Sequence, residues 1–489
     1  MSLVIDINAI VEESNDPLLS SHPTWARAPL SQVASVLNGY PFESRLFSKD
    51  RGMPLIRIRD IDQNTTSQFF DGEYDPSYIV RSGDVLVGMD GEFKAAIWRG
   101  DAALLNQRVC KLTPNEAFYN SRFLALVLPG YLTAIHDRTS SQTVKHLSSR
   151  TISEIPLPLP SLGEQTRIVE KAASLLDCVD RAKARLDRVT KLLKRFRQSV
   201  FNSACTGQLT ASWREQGSFA GGETADPLKA EQRSPHDSSI AIPDNWEWVQ
   251  FGEMVTSLRS GTTTPPQNEE TAHPVLRSSS VRPLTVDLDD AKFLPATAVD
   301  TTANYIEDDD LLFTRLSGSL EYVANCARVT GVGSRRVQFP DRLFRARLKT
   351  PAFGPYFELA FASPLLRRSL EVASKSSAGH QRISMGALTD YWIPLPPAEE
   401  IAEIVKRTRV LLALADTIER RVAVAAARAD KLPQSILAKA FSGELVPTEA
   451  ELARAEGRPY ESAESLLRRL APSPDSPPPK RPRSPRKGR

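Results

Sequence analysis

The sequence predicts an α+β protein: two pseudo-symmetric mixed α/β domains separated by two long helices that form an antiparallel coiled coil within the one chain. Three observations predict it. The chain of 489 residues repeats itself, because Ser140 to Thr210 aligns without a gap on Ser376 to Val446 at a shift of 236, with 18 of 71 pairs identical. Each copy carries an apolar stripe with a 3.5-residue period, the spacing that keeps one helix face against a partner helix. Upstream of each stripe lie short β-rich runs punctuated by Gly, Asp and Pro.

Taken in order, residues 1–21 form an N-terminal extension and 22–160 the first globular domain. Within it LIRIRDI (55–61), SYIV (77–80), DVLVGM (84–89), AAIW (95–98) and QRVCKL (107–112) read as strands, and AFYNSRFLALVL (117–128) as a helix. The first long helix occupies 161–210. Its seam steps by four and three from Ile168 through Ala172, Leu175, Val179, Ala182, Leu186, Val189, Leu193, Phe196 and Val200, all apolar. Ser161 with Glu164 fits a capping box, and Gly207 suits a left-handed C-cap.

A polar Gly/Ser/Pro-containing linker, 211–241, leads into the second globular domain, 242–397. There DDLL (309–312) stands where the first domain has GDVL (83–86), and PYFELAFASPLLRRSL (355–370) reads as helical. The second long helix, 398–446, repeats the seam from Ile404 through Thr408, Leu411, Ala415, Ile418, Val422, Ala425, Ala429, Leu432 and Ile436, with Thr408 the one polar member. Pro433 predicts a kink near its end, and Gly443 a C-cap. Residues 447–489 form a helical segment and a disordered, basic, Pro-rich tail. Two equal seams in one chain can pair with each other.

Composition narrows the function. Lys and Arg number 62 against 59 Asp and Glu, a formal charge of +3, and the tail from Ala471 onward carries six basic residues and one Asp475. The body is therefore slightly acidic, and nucleic-acid binding has to rest on local basic patches. The cysteines Cys110, Cys178, Cys205 and Cys326 lie far apart, which suggests neither a zinc site nor a disulfide framework and points to the reducing cytoplasm. The N-terminus is acidic and no apolar run approaches the roughly 18–20 residues that span a bilayer, so neither secretion nor membrane insertion is expected. The chain has no GxxxxGK[ST], no HExxH and no D-P-P-Y or N-P-P-Y, so neither a catalytic centre nor a metal site is expected. One pattern reads otherwise: Asp84 or Asp90 followed by Glu92-Phe93-Lys94 has the spacing of a metal-dependent endonuclease acting alone. A coiled-coil structural or dimerisation protein, its seams paired between chains, is the other alternative.

The landmarks then accumulate. Trp246-Glu247-Trp248 opens the second domain. Gly83-Asp84-Val85-Leu86 lies within the first, Ile155-Pro156-Leu157-Pro158 leads to Glu164-Gln165 and Ile168-Val169 at the helix start, and Ala440-Phe441-Ser442-Gly443-Glu444-Leu445 closes the second helix. Duplicated and in this order, they resemble the specificity subunits (HsdS) of type I restriction-modification systems over nearly the whole chain. The chain departs from that pattern at Ile401, in place of Gln, at Cys205, in place of Phe, and at Asp309, in place of Gly. The entry His22-Pro23-Thr24-Trp25 is degenerate.

The resemblance implies that the two globular domains are target-recognition domains, each reading one half of a split double-stranded DNA target, with the coiled coil setting the spacer. It also implies two modification (methyltransferase) subunits that bring S-adenosylmethionine, restriction (motor-nuclease) subunits that use ATP and Mg, and no cofactor in this chain. Base readout needs side chains that fork or reach, chiefly Arg, Asn and Gln. In the first domain the candidates are Lys49, Arg51, Arg57, Arg59, Lys94, Gln107, Arg108, Lys145 and His146, with Arg57 and Arg59 placed on a β-run. In the second they are Arg277, Arg282, Arg315, Ser317, Arg335, Arg336, Arg342, His380, Gln381 and Arg382. The segment 181–198 holds eight basic residues and one Asp, so Lys183, Arg188, Lys191 and Lys194 are candidates for spacer DNA or an acidic partner. A solvated coiled-coil flank accounts for the same charges.

Overall fold

The computed structural model describes residues 7–138, 146–217, 240–295, 304–377 and 380–470. The chain divides into two compact units, neither of them continuous in sequence: Met1–Arg185 with Ala425–Arg489, and Leu186–Val424. The long helices Leu162–Cys205 and Ala398–Phe441 each contribute one part to either unit.

The first unit is built on an antiparallel sheet in the order Ala34–Asn38, Val109–Pro114, Val85–Gly88, Ala95–Ile97. Val85, Val87, Cys110 and Leu112 face a core that the helix Ser121–Arg138 closes with Phe123, Leu124, Val127 and Leu128. A second sheet, Phe47–Ser48, Phe69–Phe70, Met53–Ile56, Ala103–Leu105, Ile79–Val80, carries one parallel pairing, Met53–Ile56 on Ala103–Leu105. The expected strand 55–61 therefore ends early. Arg57 caps a short turn, Ile58–Asp60, because the Asp60 carboxylate accepts the Arg57 backbone N–H at 2.9 Å. The strand Ala26–Pro29 pairs with Pro156–Leu159, immediately before the long helix.

The second unit repeats this plan. Its sheet runs Val255–Ser260, Leu343–Leu348, Leu311–Thr314, Cys326–Arg328, all antiparallel, and Glu247–Gln250 pairs with Trp392–Leu395 before the other long helix. The expected helix 355–370 is two, Gly354–Ala362 and Pro364–Ala373, parted at Ser363 because Pro364 holds the residue before it extended. Its additions are two hairpins, Pro274–Leu276 with Ala291–Phe293 and Val281–Arg282 with Thr285–Val286, and a three-stranded sheet of Leu316–Ser317, His380–Arg382 and Lys375–Ser377.

Within each unit the helix segments run antiparallel. In the first, Arg167 bonds Glu449 at 2.9 Å while Lys183, further along, bonds Asp430 at 2.7 Å. In the second, Arg197 bonds Asp416 and Glu419 at 2.6 and 2.7 Å, while Arg407 donates to the Leu209 carbonyl at 3.0 Å. Each core therefore takes in the start of one helix and the end of the other: Ile168 and Val169 with Ala440 and Phe441 in the first, Ile401 and Ile404 with Ala204 and Cys205 in the second. Gly207 and Gly443 adopt φ of 73° and 79°, as left-handed caps require.

The seam needs correction at three positions. Val179 and Leu193 are buried and Leu175, Leu186, Val189, Leu411, Ile418 and Val422 half-buried, but Ala182 is exposed, and Phe196 is 36% and Leu432 46% exposed. The covered stripe advances at the latter two by four residues rather than three, from Leu193 to Arg197 to Val200, and from Ala429 to Pro433 to Ile436. A 3.6-residue helix drifts against a 3.5-residue repeat, and the drift is released at the same place in both copies. The second helix continues through Pro433.

The capping box at Ser161 is half made. Ser161 Oγ accepts the Glu164 N–H at 3.2 Å, but the Glu164 carboxylate turns away to accept Trp25 Nε1 at 3.0 Å and the Glu449 N–H at 3.3 Å. Glu400 accepts Trp246 Nε1 at 2.9 Å in the same way.

Candidate nucleic-acid interface

In each unit the sheet's two central strands end beside a third segment, and the same backbone bonds join all three. In the first unit Met89 donates to the Arg108 carbonyl at 3.0 Å, Leu147 donates to the Met89 carbonyl at 2.7 Å, and Asp90 bridges His146. In the second Arg315 donates to the Arg342 carbonyl at 2.9 Å, Ile383 donates to the Arg315 carbonyl at 3.1 Å, and Leu316 pairs with Arg382. The structure thus brings Arg108 and His146 together in one unit, and Arg342 and Arg382 onto equivalent positions in the other.

What stands on that frame differs. The Asp90 carboxylate accepts a bond from Arg108 Nη1 and lies 2.5 Å from His146 Nδ1. The second unit has Leu316 in place of this carboxylate. Asp341, beside Arg342, turns instead to Arg315, whose Nη1 also reaches the Asp341 carbonyl at 3.0 Å and whose guanidinium lies over the Phe344 ring. The sequence offered Asp90 only as part of the endonuclease-like pattern and not as a partner of Arg108 and His146, because pairing across non-adjacent segments leaves no trace in spacing.

The remaining candidates divide by partner. Lys49, Arg51, Gln107, Arg342 and Arg382 are exposed and have no side-chain hydrogen bond or ion pair among the described residues. Arg59, 70% exposed, comes no closer than 4.0 Å to Asp60. Others are committed: Arg57 to Asp60 and Gln68, Lys94 to Asp62 at 2.9 Å, Arg277 to Asp290 at 3.5 Å and Arg335 to Asp289 at 2.9 Å. Arg57 accordingly belongs to a tied turn and not to an open sheet face. Arg282 and Arg336 lie over the rings of Tyr322 and Tyr305 at 5.4 and 4.6 Å. Ser317 and Gln381 pair across strands, Lys145 lies outside the described residues, and of His380 only the strand backbone is described.

On the first long helix, Lys183 bonds Asp430 and Lys194 approaches Glu321 at 3.9 Å, whereas Arg188 and Lys191 are exposed without an ion pair among the described residues. Arg195 is exposed in the same way, and the i, i+3, i+7 spacing of Arg188, Lys191 and Arg195 puts all three on one helix face.

The acidic motifs are structural. Asp84 accepts the Arg81 N–H and Asp310 the Glu307 N–H, each at 2.8 Å, so this carboxylate closes the turn that starts the strand. The turn needs a positive φ, which Gly83 adopts at 103° and Asp309 at 74°, with the Asp309 carboxylate bound by Arg328 at 2.7 Å. Phe93 is buried against His136 and Lys94 is held by Asp62 and Glu92. Among the described residues no three His, Cys, Asp or Glu gather as a metal site would require, and the endonuclease reading is not supported. Burial pushes the Cys110 and Cys205 thiols up to about 12, which keeps them protonated and unreactive.

Comparison with known proteins decides the family. Residues 23–191 match the type I restriction modification DNA specificity domain. Over 442 residues, 89% of each chain, the sequence is 36% identical to the type I restriction enzyme EcoBI specificity subunit of Escherichia coli. The chain belongs to the type I restriction enzyme specificity subunits. It is also 32% identical to the EcoKI specificity subunit of Escherichia coli strain K12 over 437 residues, 86% of this chain and 89% of that one. A solved structure from work on complex assembly in the type I R-M system shares the fold, with a TM-score of 0.60 at 18% identity, covering 87% of this chain and 99% of the other. For this specificity subunit the duplicated frame acquires a purpose, since one sheet plan presents two different side-chain sets. No helix among its described residues is long and apolar enough to cross a membrane.

Proposed function

We propose that this specificity subunit reads a bipartite DNA target, one half through each globular unit, while the antiparallel helices set the unread spacer and dock two modification subunits. The observation that carries this reading is the repeated frame: the same backbone bonds hold Arg108 with His146 and Arg342 with Arg382, so two independently varied side-chain sets stand on one scaffold. A sheet end that offers Arg forks suits base edges, and exposed lysines suit phosphates. By this reading the chain itself is non-catalytic and works in the cytoplasm. S-adenosylmethionine belongs to the modification subunits, and ATP with Mg to a restriction subunit where one joins.

The exposed face of Arg188, Lys191 and Arg195 neutralises spacer phosphates in this scheme. Charge reversal of Arg188, Lys191 and Arg195 then lowers affinity and flattens its salt dependence. Unchanged affinity and slope exclude the contact. The role as a whole is tested by single-molecule methylation sequencing of the source genome with and without this gene. Deletion removes one split adenine-methylation motif, and exchange of residues 22–160 alters one half of it. A methylome that never changes counts against the reading.

A further inference from the structure

Resting on that reading, we propose that Asp90 is a positioning residue: it holds the Arg108 guanidinium for the base edge of a G·C pair in the half-target read by the first unit, whereas Arg342, on the same frame, meets phosphate. Charge separates the two arginines. Release of counterions rewards cations that are not already neutralised, and Arg108 carries its own carboxylate. As a phosphate contact it gains little. As a directional contact it gains a good deal, because Asp90 Oδ2 occupies Nη1 and leaves Nη2 and Nε as donors on a fork whose orientation is already set. A side chain ordered before binding loses less entropy on contact.

The anchor is itself anchored. The Asp90 side chain is 19% exposed, its backbone bridges His146, its other oxygen faces His146 Nδ1, and the Arg108 carbonyl is held by Met89. Arg108, at 54% exposure, remains open on its outer side. Arginine pairs most often with guanine O6 and N7, a geometry that a pre-oriented fork satisfies. The second unit lacks every part of this arrangement except the backbone. Leu316 offers no side-chain acceptor, Asp341 is turned to Arg315, and Arg342 and Arg382 stand as cations without an ion pair among the described residues. Phosphate, which asks for charge and tolerates loose geometry, fits them.

The test uses the full chain with its modification subunits and duplexes carrying its methylation motif, with 7-deazaguanine replacing each guanine of the first half-target in turn. One replacement weakens wild-type binding about tenfold. Asp90→Asn weakens the unmodified duplex by a similar factor and makes that replacement silent. Arg108→Ala, which removes every donor of the fork, does the same, so the outcome does not hang on one variant; matched melting temperatures show that each is folded. Arg342→Ala lowers affinity for all sequences alike and reduces the log–log salt slope by about one, whereas Arg108→Ala leaves the slope unchanged. An Arg108→Ala slope that falls by about one, an Asp90→Asn variant that keeps the 7-deazaguanine penalty, or a first half-target insensitive to every replacement overturns the proposal. A wild-type complex without sequence preference sinks the bipartite reading instead.

Discussion

The first unit closes over Phe441 and the second over Cys205, residues 236 positions apart on equivalent turns of two helices. Phe441 meets Phe123 edge to face at 6.4 Å. Around Cys205 the second core is instead filled from its own unit, where Phe251, Phe313, Phe361 and Tyr391 interlock with ring separations of 4.7 to 5.5 Å. The clamp at each helix start differs similarly. Gln165 Oε1 accepts the Asn120 N–H at 2.8 Å, and its Nε2 donates to the Phe118 and Pro160 carbonyls, both at 2.9 Å, whereas Ile401 is simply buried among apolar neighbours. Such pairs show how a duplicated scaffold diverges. The backbone plan is kept where hydrogen bonds specify it, and the volume it encloses is redistributed among whichever side chains lie nearby.

Single substitutions can break this comparison, and volume gives the largest effect. Phe441→Ala removes a buried ring from the first core and costs about 3–5 kcal/mol, whereas Cys205→Ala removes one sulfur and costs about 1 kcal/mol. Hydrogen exchange of Val109–Pro114 against Leu343–Leu348 reads the two units separately. Equal losses in both units would show that the helix ends do not belong to separate cores.

Exchanging the clamps comes next. Gln165→Ile leaves the Asn120 N–H and two carbonyls unpaired, at about 1–3 kcal/mol for each group that water cannot reach. Ile401→Gln buries an amide with no prepared partners and is destabilising in its turn. Denaturant unfolding of both variants checks this, and a neutral Gln165→Ile change would mean that the Asn120 turn is held by other bonds.

The smallest effect is one of pH. In the first unit Glu449 lies below its ordinary value, since hydrogen bonds from Arg167 and Arg458 outweigh burial, and Glu451 and Asp75 are lowered by backbone N–H groups of Thr448 and Ser77; among its described carboxylates only Glu164 is raised, by burial. In the second, burial raises Asp310 and Glu358 against their arginine partners, and among its described carboxylates only the half-buried Glu403 is lowered, by Arg407. A lowered carboxyl lends stability above its unfolded pKa and loses it as pH falls through the folded value; a raised one lends stability below its unfolded pKa and loses it as pH rises through the folded value. Acidification from neutrality into the carboxylate range therefore weakens the first unit relative to the second. Exchange rates measured across that range, with the order of the units reversed, would refute the assignment of these charges.

Much of this was legible in the sequence. The repeat, the two helices with their glycine caps, the strands at Val85 and Val109 and the order of the motifs all follow from local rules: period, capping and turn chemistry act over a few residues. The misreadings share one cause. Phe196 and Leu432 fit the 3.5-residue template but lie off the covered stripe, Arg57 ends a strand by bonding Asp60, and Lys94 is spent on Asp62. None of these can be told from spacing.

By itself, then, the sequence determined that this protein is a duplicated α+β chain with paired seams, because hydrophobic period and self-similarity are properties of the string. Only the tertiary structure decided which cations are free and which are neutralised, and that each core is sealed by the end of the other helix. Partners such as Asp90 with Arg108 and His146, or Glu400 with Trp246, are brought together by strand pairing and helix packing across long separations. An electrostatic or hydrogen-bonding role depends on distance in space, and the order of residues along the chain does not record it.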